Sequence, residues 1–270
     1  MENKIYVTKR NIFYLDKELF GNQKVLDNII VELEKKLFKM PKENFHIIGS
    51  PKSYYCGKIK MKNEKEEIEM ENTEIQERII PPINEMKNKK IEIENKIIIV
   101  IEKYTIFNRI KNTKWYKLYE KDIMIITSCG YPDSSVKYFI QKIQEENEGI
   151  EIYFMVDFDP YGIDIIYNYI REDHEYKVKG EVKILNKEYM KKEKKDGKHS
   201  MQMTERDRKR IEKLKKEVKN QDEMKEMIQI MEEMNSKKEL ESMSKEEMIN
   251  ELVKTFKSKL KSRCYFEIEF

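Results

Sequence analysis

Apolar residues follow different rhythms in different parts of this chain. Between Lys24 and Phe38, residues Val25, Ile29, Ile30, Leu33 and Leu37 recur at helical spacing, which predicts an amphipathic helix ended by Pro41. "NFHIIGSPKSYYCGKIKM" (residues 44–61) then predicts two short strands around a Gly-Ser-Pro-Lys turn. A helix followed by such a hairpin has the order of the second half of a winged helix. Residues 61–96 are rich in Glu, Lys and Asn, carry Pro81-Pro82, and are read as a charged linker. From residue 97 the character changes. "KIIIVIEKYTIF", "DIMIITSCGYPD" and "IEIYFMVDFDPYG" predict three buried strands, with helical segments at Asn108 to Tyr119 and Ser134 to Glu146 between them. Strands alternating with helices imply crossover connections and a parallel sheet. The last third predicts polar helices. Met224, Met227, Ile228, Met231 and Met234 share one helical face, read as core, and Ser244 with Glu247 forms a capping box.

Composition narrows this picture. Charged residues make up 39% of the 270, yet the net charge is only +3, so global electrostatics does not argue for a nucleic-acid partner. Locally there is a surplus, since Lys187 to Lys219 holds fourteen Lys/Arg against seven Asp/Glu, but such a run taken alone is more often a solvated face than a phosphate contact. The longest aliphatic run, Ile97 to Ile101, is far short of a membrane span, and the first ten residues lack the apolar region of a signal peptide. Cys56, Cys129 and Cys264 are far apart, as are His46, His174 and His199, so neither a disulfide nor a zinc framework is indicated. The reading is of an intracellular soluble protein with no membrane partner.

The chemistry gathers where the strands end. In parallel sheets ligands lie beyond the carboxyl ends of the strands. Glu102 ends the first predicted strand, Ser128 to Asp133 the second, and Asp157 with Asp159 the third, which makes one acidic pole. Side chains alternate along a strand, so D-x-D sends both carboxylates to one face, and like charges that close call for a cation between them. Haloacid-dehalogenase phosphatases and glycosyltransferases also use D-x-D. The former want a small residue and Thr or Val after the second Asp, near the chain start; Pro160-Tyr161-Gly162 at mid-chain does not fit. Cys129, with no basic partner nearby in sequence, is read as a loop residue.

Glu102 in "VIEKYTIF", then "SCGYPDSS", then "VDFDPYGIDI" resemble, in order, the three signatures of a Toprim domain in the version found in the A-type subunit of topoisomerase VI and the related meiotic double-strand-break transesterases. "TKRNIFYLDKELFGNQKVLDNII" is similar to that family's catalytic-tyrosine segment. "MTERDRKRIEKL" and "EMKEMIQIMEEMNSKKELESM" resemble its later helices. The implied fold class is α/β: a partial winged-helix (CAP-like) module over residues 1–60, the linker at 61–96, and over 97–270 a Toprim domain with a mainly parallel sheet and a helical carboxyl-terminal part. The resemblance makes Tyr14 the nucleophile that attacks a DNA phosphodiester and stays on the 5′ end, and Arg10 a phosphate-holding neighbour. Glu102, Asp157 and Asp159 become the ligands of Mg²⁺, a hard cation suited to carboxylates. Lys9, Arg206, Arg208, Lys209 and Arg210 are the expected DNA-backbone contacts. Double-stranded DNA is the implied partner, the chain a homodimer, and a B-type ATPase-like subunit or meiotic accessory proteins its companions; a eukaryotic member would work in the nucleus.

The chain departs from the family pattern at Asn11, usually acidic; at Ser128-Cys129-Gly130, usually Gly-Lys-Gly; at Tyr104, usually Asp; and at Lys137, commonly Arg. Only thirteen residues precede Tyr14, so a shortened winged helix, or a start placed too late in the gene, is expected. Three functional classes follow: a tyrosine transesterase that makes meiotic double-strand breaks, favoured; a Toprim nuclease that does not use Tyr14; and a non-catalytic DNA-binding or scaffold relative.

Overall fold

The computed structural model describes residues 7–40, 45, 47–48, 52–63, 65–71, 74–185 and 200–260. A small amino-terminal module comes first. Strand β1 (Val7–Thr8) leads into α1 (Lys9–Leu15), α2 (Lys17–Phe20) and α3 (Gln23–Glu32), which continues as a π-helical turn over Leu33–Leu37. Asp16 and Asn22 cap α2 and α3 by accepting the Leu19 and Val25 amides, as short polar side chains do at helix starts. Leu26 and Ile30 are the buried residues of α3. Strand β2 (Ile47–Ile48) pairs in parallel with β1.

The expected hairpin over 44–61 does not form; its turn at 49–51 lies outside the described residues. β3 (Tyr54–Cys56) instead joins the central sheet, and β4 (Ile59–Lys62) joins a second one. Nor is the stretch at 61–96 a linker. It holds β5 (Ile68–Glu71), β6 (Glu77–Ile79), α4 (Ile83–Met86) and β7 (Lys90–Ile93), with β5, β4 and β7 forming an antiparallel sheet in that order. Ile59, Met61, Ile80, Ile83, Met86 and Ile91 are all buried there. These apolar residues stand mostly singly between charged ones, so average composition conceals a half-buried sheet that packing reveals. The boundaries near 60 and 96 therefore fall inside the larger domain.

The central sheet runs β11-β10-β8-β9-β3-β6. β8 (Ile97–Ile101) and β9 (Ile123–Thr127) are buried at every position, and β10 (Glu151–Met155) at all but its first. β8 pairs in parallel with both β9 and β10, and β11 (Lys183–Ile184) extends the parallel part. β3 runs antiparallel to β9, and β6 antiparallel to β3. The mainly parallel α/β sheet is thus as expected. The predicted helix at 108–119 is two, α5 (Tyr104–Lys111) and α6 (Lys114–Tyr119), because Thr113 accepts the Tyr116 amide and starts a new helix. α7 (Ser134–Glu146) and α8 (Pro160–Ile170) complete the crossovers.

Beyond lie the short pair β12 (Met201–Gln202) and β13 (Ser236–Lys237), with α9 (Glu205–Glu217), α10 (Asp222–Met234) and α11 (Lys245–Phe256). The methionine stripe of α10 is core: Met224, Met227, Ile228 and Met231 are buried. Ser244 and Glu247 make the capping box at the start of α11.

Candidate active site

Two adjacent parallel strands, β8 and β10, deliver the carboxylates. Glu102 follows the last residue of β8, and its amide continues the ladder by donating to Met155 carbonyl oxygen at 3.0 Å. Its Oε2 accepts the Asp157 amide at 2.8 Å, while the Gly130 amide donates to its carbonyl at 2.9 Å and ties down the loop after β9. Past β10 the chain alternates. Phe158 turns into the core and pairs its backbone with Lys238 (2.8 and 2.9 Å), leaving Asp157 and Asp159 to the other side. Asp157 is 6% exposed; its Oδ1 accepts the Leu240 amide at 2.8 Å. Asp159 caps α8 by accepting the Gly162 amide at 2.7 Å, with Pro160 in the first turn, where its missing N–H costs nothing. Gly162 is required for closeness: a Cβ there would lie 2.2 Å from the Asp157 carbonyl oxygen.

Burial and mutual repulsion set the charge of this pole. Glu102 is pushed up to about 8, by burial first and then by the charge of Asp157, with Asp159 adding to it. Burial likewise raises Asp157 and Asp159. Three acids whose charged forms are disfavoured in this way are the donor chemistry that a divalent cation relieves, so the residues suit Mg²⁺ by type and charge. Among the described residues, however, no three His, Cys, Asp or Glu side chains stand in an arrangement able to hold an ion. A lysine intervenes. Lys103 Nζ lies 2.8 Å from Asp157 Oδ2 and 3.5 Å from Glu239, and also pairs with Glu241. Glu239 and Glu241 flank the Leu240 amide that holds Asp157. Sequence reasoning missed this segment, because nothing in "KKELES" announces contact with a strand end 80 residues earlier.

The loop after β9 places Cys129 at φ +53°, outside the helical and extended regions. Tyr131 Oη donates to Asp164 Oδ2 at 2.6 Å, and Arg210 pairs with the other oxygen of that carboxylate. Arg210 is thereby turned inward. Of the other expected DNA contacts, Arg206 stands over the Tyr161 ring at 5.8 Å, Arg208 donates to Asn235 Oδ1 at 2.7 Å, and Lys209 pairs with Glu205 on an exposed face. Lys9 pairs with Asp27 at 2.8 Å. The side chain of Arg10 lies outside the described residues. Tyr14 is 61% exposed on α1, with Lys17 Nζ 4.8 Å from its ring centre. Its described neighbours all belong to its own module, whereas the carboxylates belong to the central sheet. Between module and domain lies a cleft of about 640 Å³ lined in part by Lys35, Lys39, Lys137 and His174. Lys137, 8% exposed, approaches His174 Nδ1 to 2.8 Å.

Two known families match separate parts of the chain. The family described as topoisomerase 6 A-subunit/Spo11, Toprim domain, matches residues 97–260, and type IIB DNA topoisomerase matches residues 1–47. Among curated proteins, the meiotic recombination protein SPO11 of Homo sapiens is 29% identical over 176 residues, covering 63% of this chain and 42% of that protein. The A3 subunit of DNA topoisomerase 6 of Oryza sativa subsp. indica is 28% identical over 62% of this chain and 36% of its own length. The A-type subunit of type 2 DNA topoisomerase 6 of Saccharolobus shibatae is 25% identical over 58% and 43%. The chain thus spans about two fifths of the length of the curated relatives it matches.

Proposed function

Since the chain belongs to the topoisomerase 6 A-subunit/Spo11 family, we propose that it is a DNA-cleaving tyrosine transesterase that forms meiotic double-strand breaks. The observation that carries this reading is the crowding of three carboxylates, Asp157 buried and Glu102 and Asp159 half-buried, at the ends of neighbouring strands, together with an exposed Tyr14 in the segment that matches type IIB topoisomerases. Tyr14 Oη attacks the phosphorus, forming a phosphotyrosyl bond to the 5′ end as the bond to the 3′ oxygen breaks. The tyrosine gives up its proton and the 3′ hydroxyl gains one. A phenol hydroxyl is a weak nucleophile until it is activated, so positive groups beside it are needed. Arg10 and Lys9 would hold the phosphate, and Arg206, Arg208 and Lys209 the flanking backbone. Glu102, Asp157 and Asp159 would hold Mg²⁺, which when bound supplies positive charge for the pentavalent phosphorus and the departing oxygen. Arg210 serves this site indirectly, fixing Asp164 and through it Tyr131. The working form is a homodimer on double-stranded DNA, acting in the nucleus with a B-type subunit or meiotic accessory proteins.

The test is covalent capture. Wild-type protein incubated with labelled duplex and Mg²⁺, then denatured, should carry DNA on Tyr14, and Tyr14→Phe should carry none while binding the duplex equally well. Metal-dependent nicks that persist in Tyr14→Phe would instead indicate a Toprim nuclease. Binding without any cleavage in wild type would indicate a scaffold.

A further inference from the structure

The Lys103 ammonium sits where three carboxylates converge. Asp157 Oδ2 is 2.8 Å away, Glu239 is 3.5 Å away, and Glu241 is in direct contact. Only 25% of its side chain is exposed. The anchors come from two places. Asp157 belongs to the candidate metal site. Glu239 immediately precedes the Leu240–Ser242 turn and Glu241 is its middle residue; the first amide of the turn binds Asp157 Oδ1. Thr105 Oγ1, at the start of α5, donates to Glu241 Oε1 at 3.1 Å, and Arg109 holds the end of the turn through the Met243 carbonyl at 2.8 Å. The turn is therefore fastened on both sides, and its two glutamates lie within reach of the same ammonium that holds Asp157.

We propose that Lys103 is a tethered counter-cation: it neutralises Asp157 while no metal ion is bound, and hands that carboxylate over, keeping Glu241 and Glu239, when a divalent cation binds. This rests on the metal reading given above. Magnesium takes oxygen ligands at about 2.0–2.1 Å, so an ion on Asp157 would face the ammonium at close range, and the two cations repel. The lysine must withdraw, and it needs no backbone movement to do so, since its other two partners are already in contact or nearly so. Lys103 is thus a positioning residue for Asp157 that sets how tightly the site takes its ion. Glu241 is the anchor that makes withdrawal possible.

Manganese binding to the full chain, followed through the electron paramagnetic resonance signal of free Mn²⁺, tests this without any cleavage assay. Lys103→Met should bind Mn²⁺ on the order of tenfold more tightly than wild type, since a competing unit charge is removed. Glu241→Gln should bind it more weakly, and that effect should vanish in the Lys103→Met background, because Glu241 acts through the lysine. An additive Glu241→Gln effect would mean a general field and would overturn the handover. So would unchanged or weaker affinity in Lys103→Met. Should Lys103→Met lose its circular dichroism signal, Lys103→Gln keeps a neutral donor to Asp157 and carries the same expectation. Binding that depends on Asp157 but ignores Lys103 sinks this inference alone; Mn²⁺ binding that is absent, or equal in wild type and Asp157→Asn, sinks the metal reading with it.

Discussion

Glu151, at the head of β10, accepts from Lys183 Nζ at 2.5 Å and from Tyr153 Oη at 3.0 Å, and also pairs with Lys259. Lys183 first, then Lys259, hold its carboxyl at about 2, well below the ordinary value of 4.5. Between those two values the unfolded chain binds more protons than the folded one. The stabilisation is therefore complete above about pH 4.5 and is lost as pH falls towards 2. A third of the side chain is exposed, so solvent screening limits the contribution to about 0.5–1 kcal/mol. Glu151→Gln should thus lower the thermal midpoint at pH 7, with the gap to wild type shrinking towards pH 3. A gap of equal size at both pH values would show that the contribution is not one of charge.

At the scale of elements, α7 and the chain just after it close the edge of the small sheet. Glu146 Oε2 accepts the Ile91 amide at 2.6 Å, Asn147 Oδ1 accepts the Ile93 amide at 3.1 Å, and Asn147 Nδ2 donates to the Ile91 carbonyl at 2.8 Å. Side chains thus imitate a neighbouring strand along β7, which satisfies backbone groups that would otherwise form an open edge. Asn147→Ala removes two of these bonds and should cost about 1–3 kcal/mol. A drop in denaturant midpoint together with faster hydrogen exchange at the Ile93 amide is the expected pair of results. An unaltered exchange rate would mean that water or a repacked helix end replaces the asparagine. These contacts also explain why residues 61–96 behave as part of the domain: the sheet they form is held by the helix between β9 and β10.

For the whole molecule, the separation of Tyr14 from the carboxylates matters most. Tyr14 sits exposed in the amino-terminal module, and its described contacts stay there. If the working site pairs one protomer's tyrosine with its partner's carboxylates, a monomer has no complete site, and cleavage of two strands is coupled to assembly. Mixed dimers of Tyr14→Phe with Glu102→Gln distinguish the arrangements. In trans, the Glu102→Gln chain lends its tyrosine to the intact carboxylates of the other chain, and single-strand nicks with covalently attached protein should form. In cis, every site lacks one component. With differential tags verifying the mixed dimers, each mutant inactive alone and wild type active, a dead mixture would rule out the trans site.

Much of this was legible in the sequence because the decisive signals are local. Five aliphatic residues ending in Glu102, and a strand ending in Asp157-Phe158-Asp159-Pro160-Tyr161-Gly162, fix strand, turn and helix start through side-chain alternation, proline geometry and a glycine where no Cβ fits. The methionine face of α10 and the Ser244 cap were readable for the same reason. What depended on contacts between distant segments was not. The strands within 61–96 gain their burial from the body of the domain, so their sparse apolar residues look like a linker when read alone. β3 leaves its expected partner and pairs antiparallel with β9, matching Tyr54 to Thr127 and Cys56 to Ile125, a partner far away in sequence that no local turn signal announces. The placing of Glu239, Leu240 and Glu241 around Lys103 and Asp157 has no sequence period at all: a turn after α10 reaches the end of β10 only because the Phe158 and Lys238 backbones pair. Sequence determined which side chains carry the charge, and tertiary structure decided which cation stands among them.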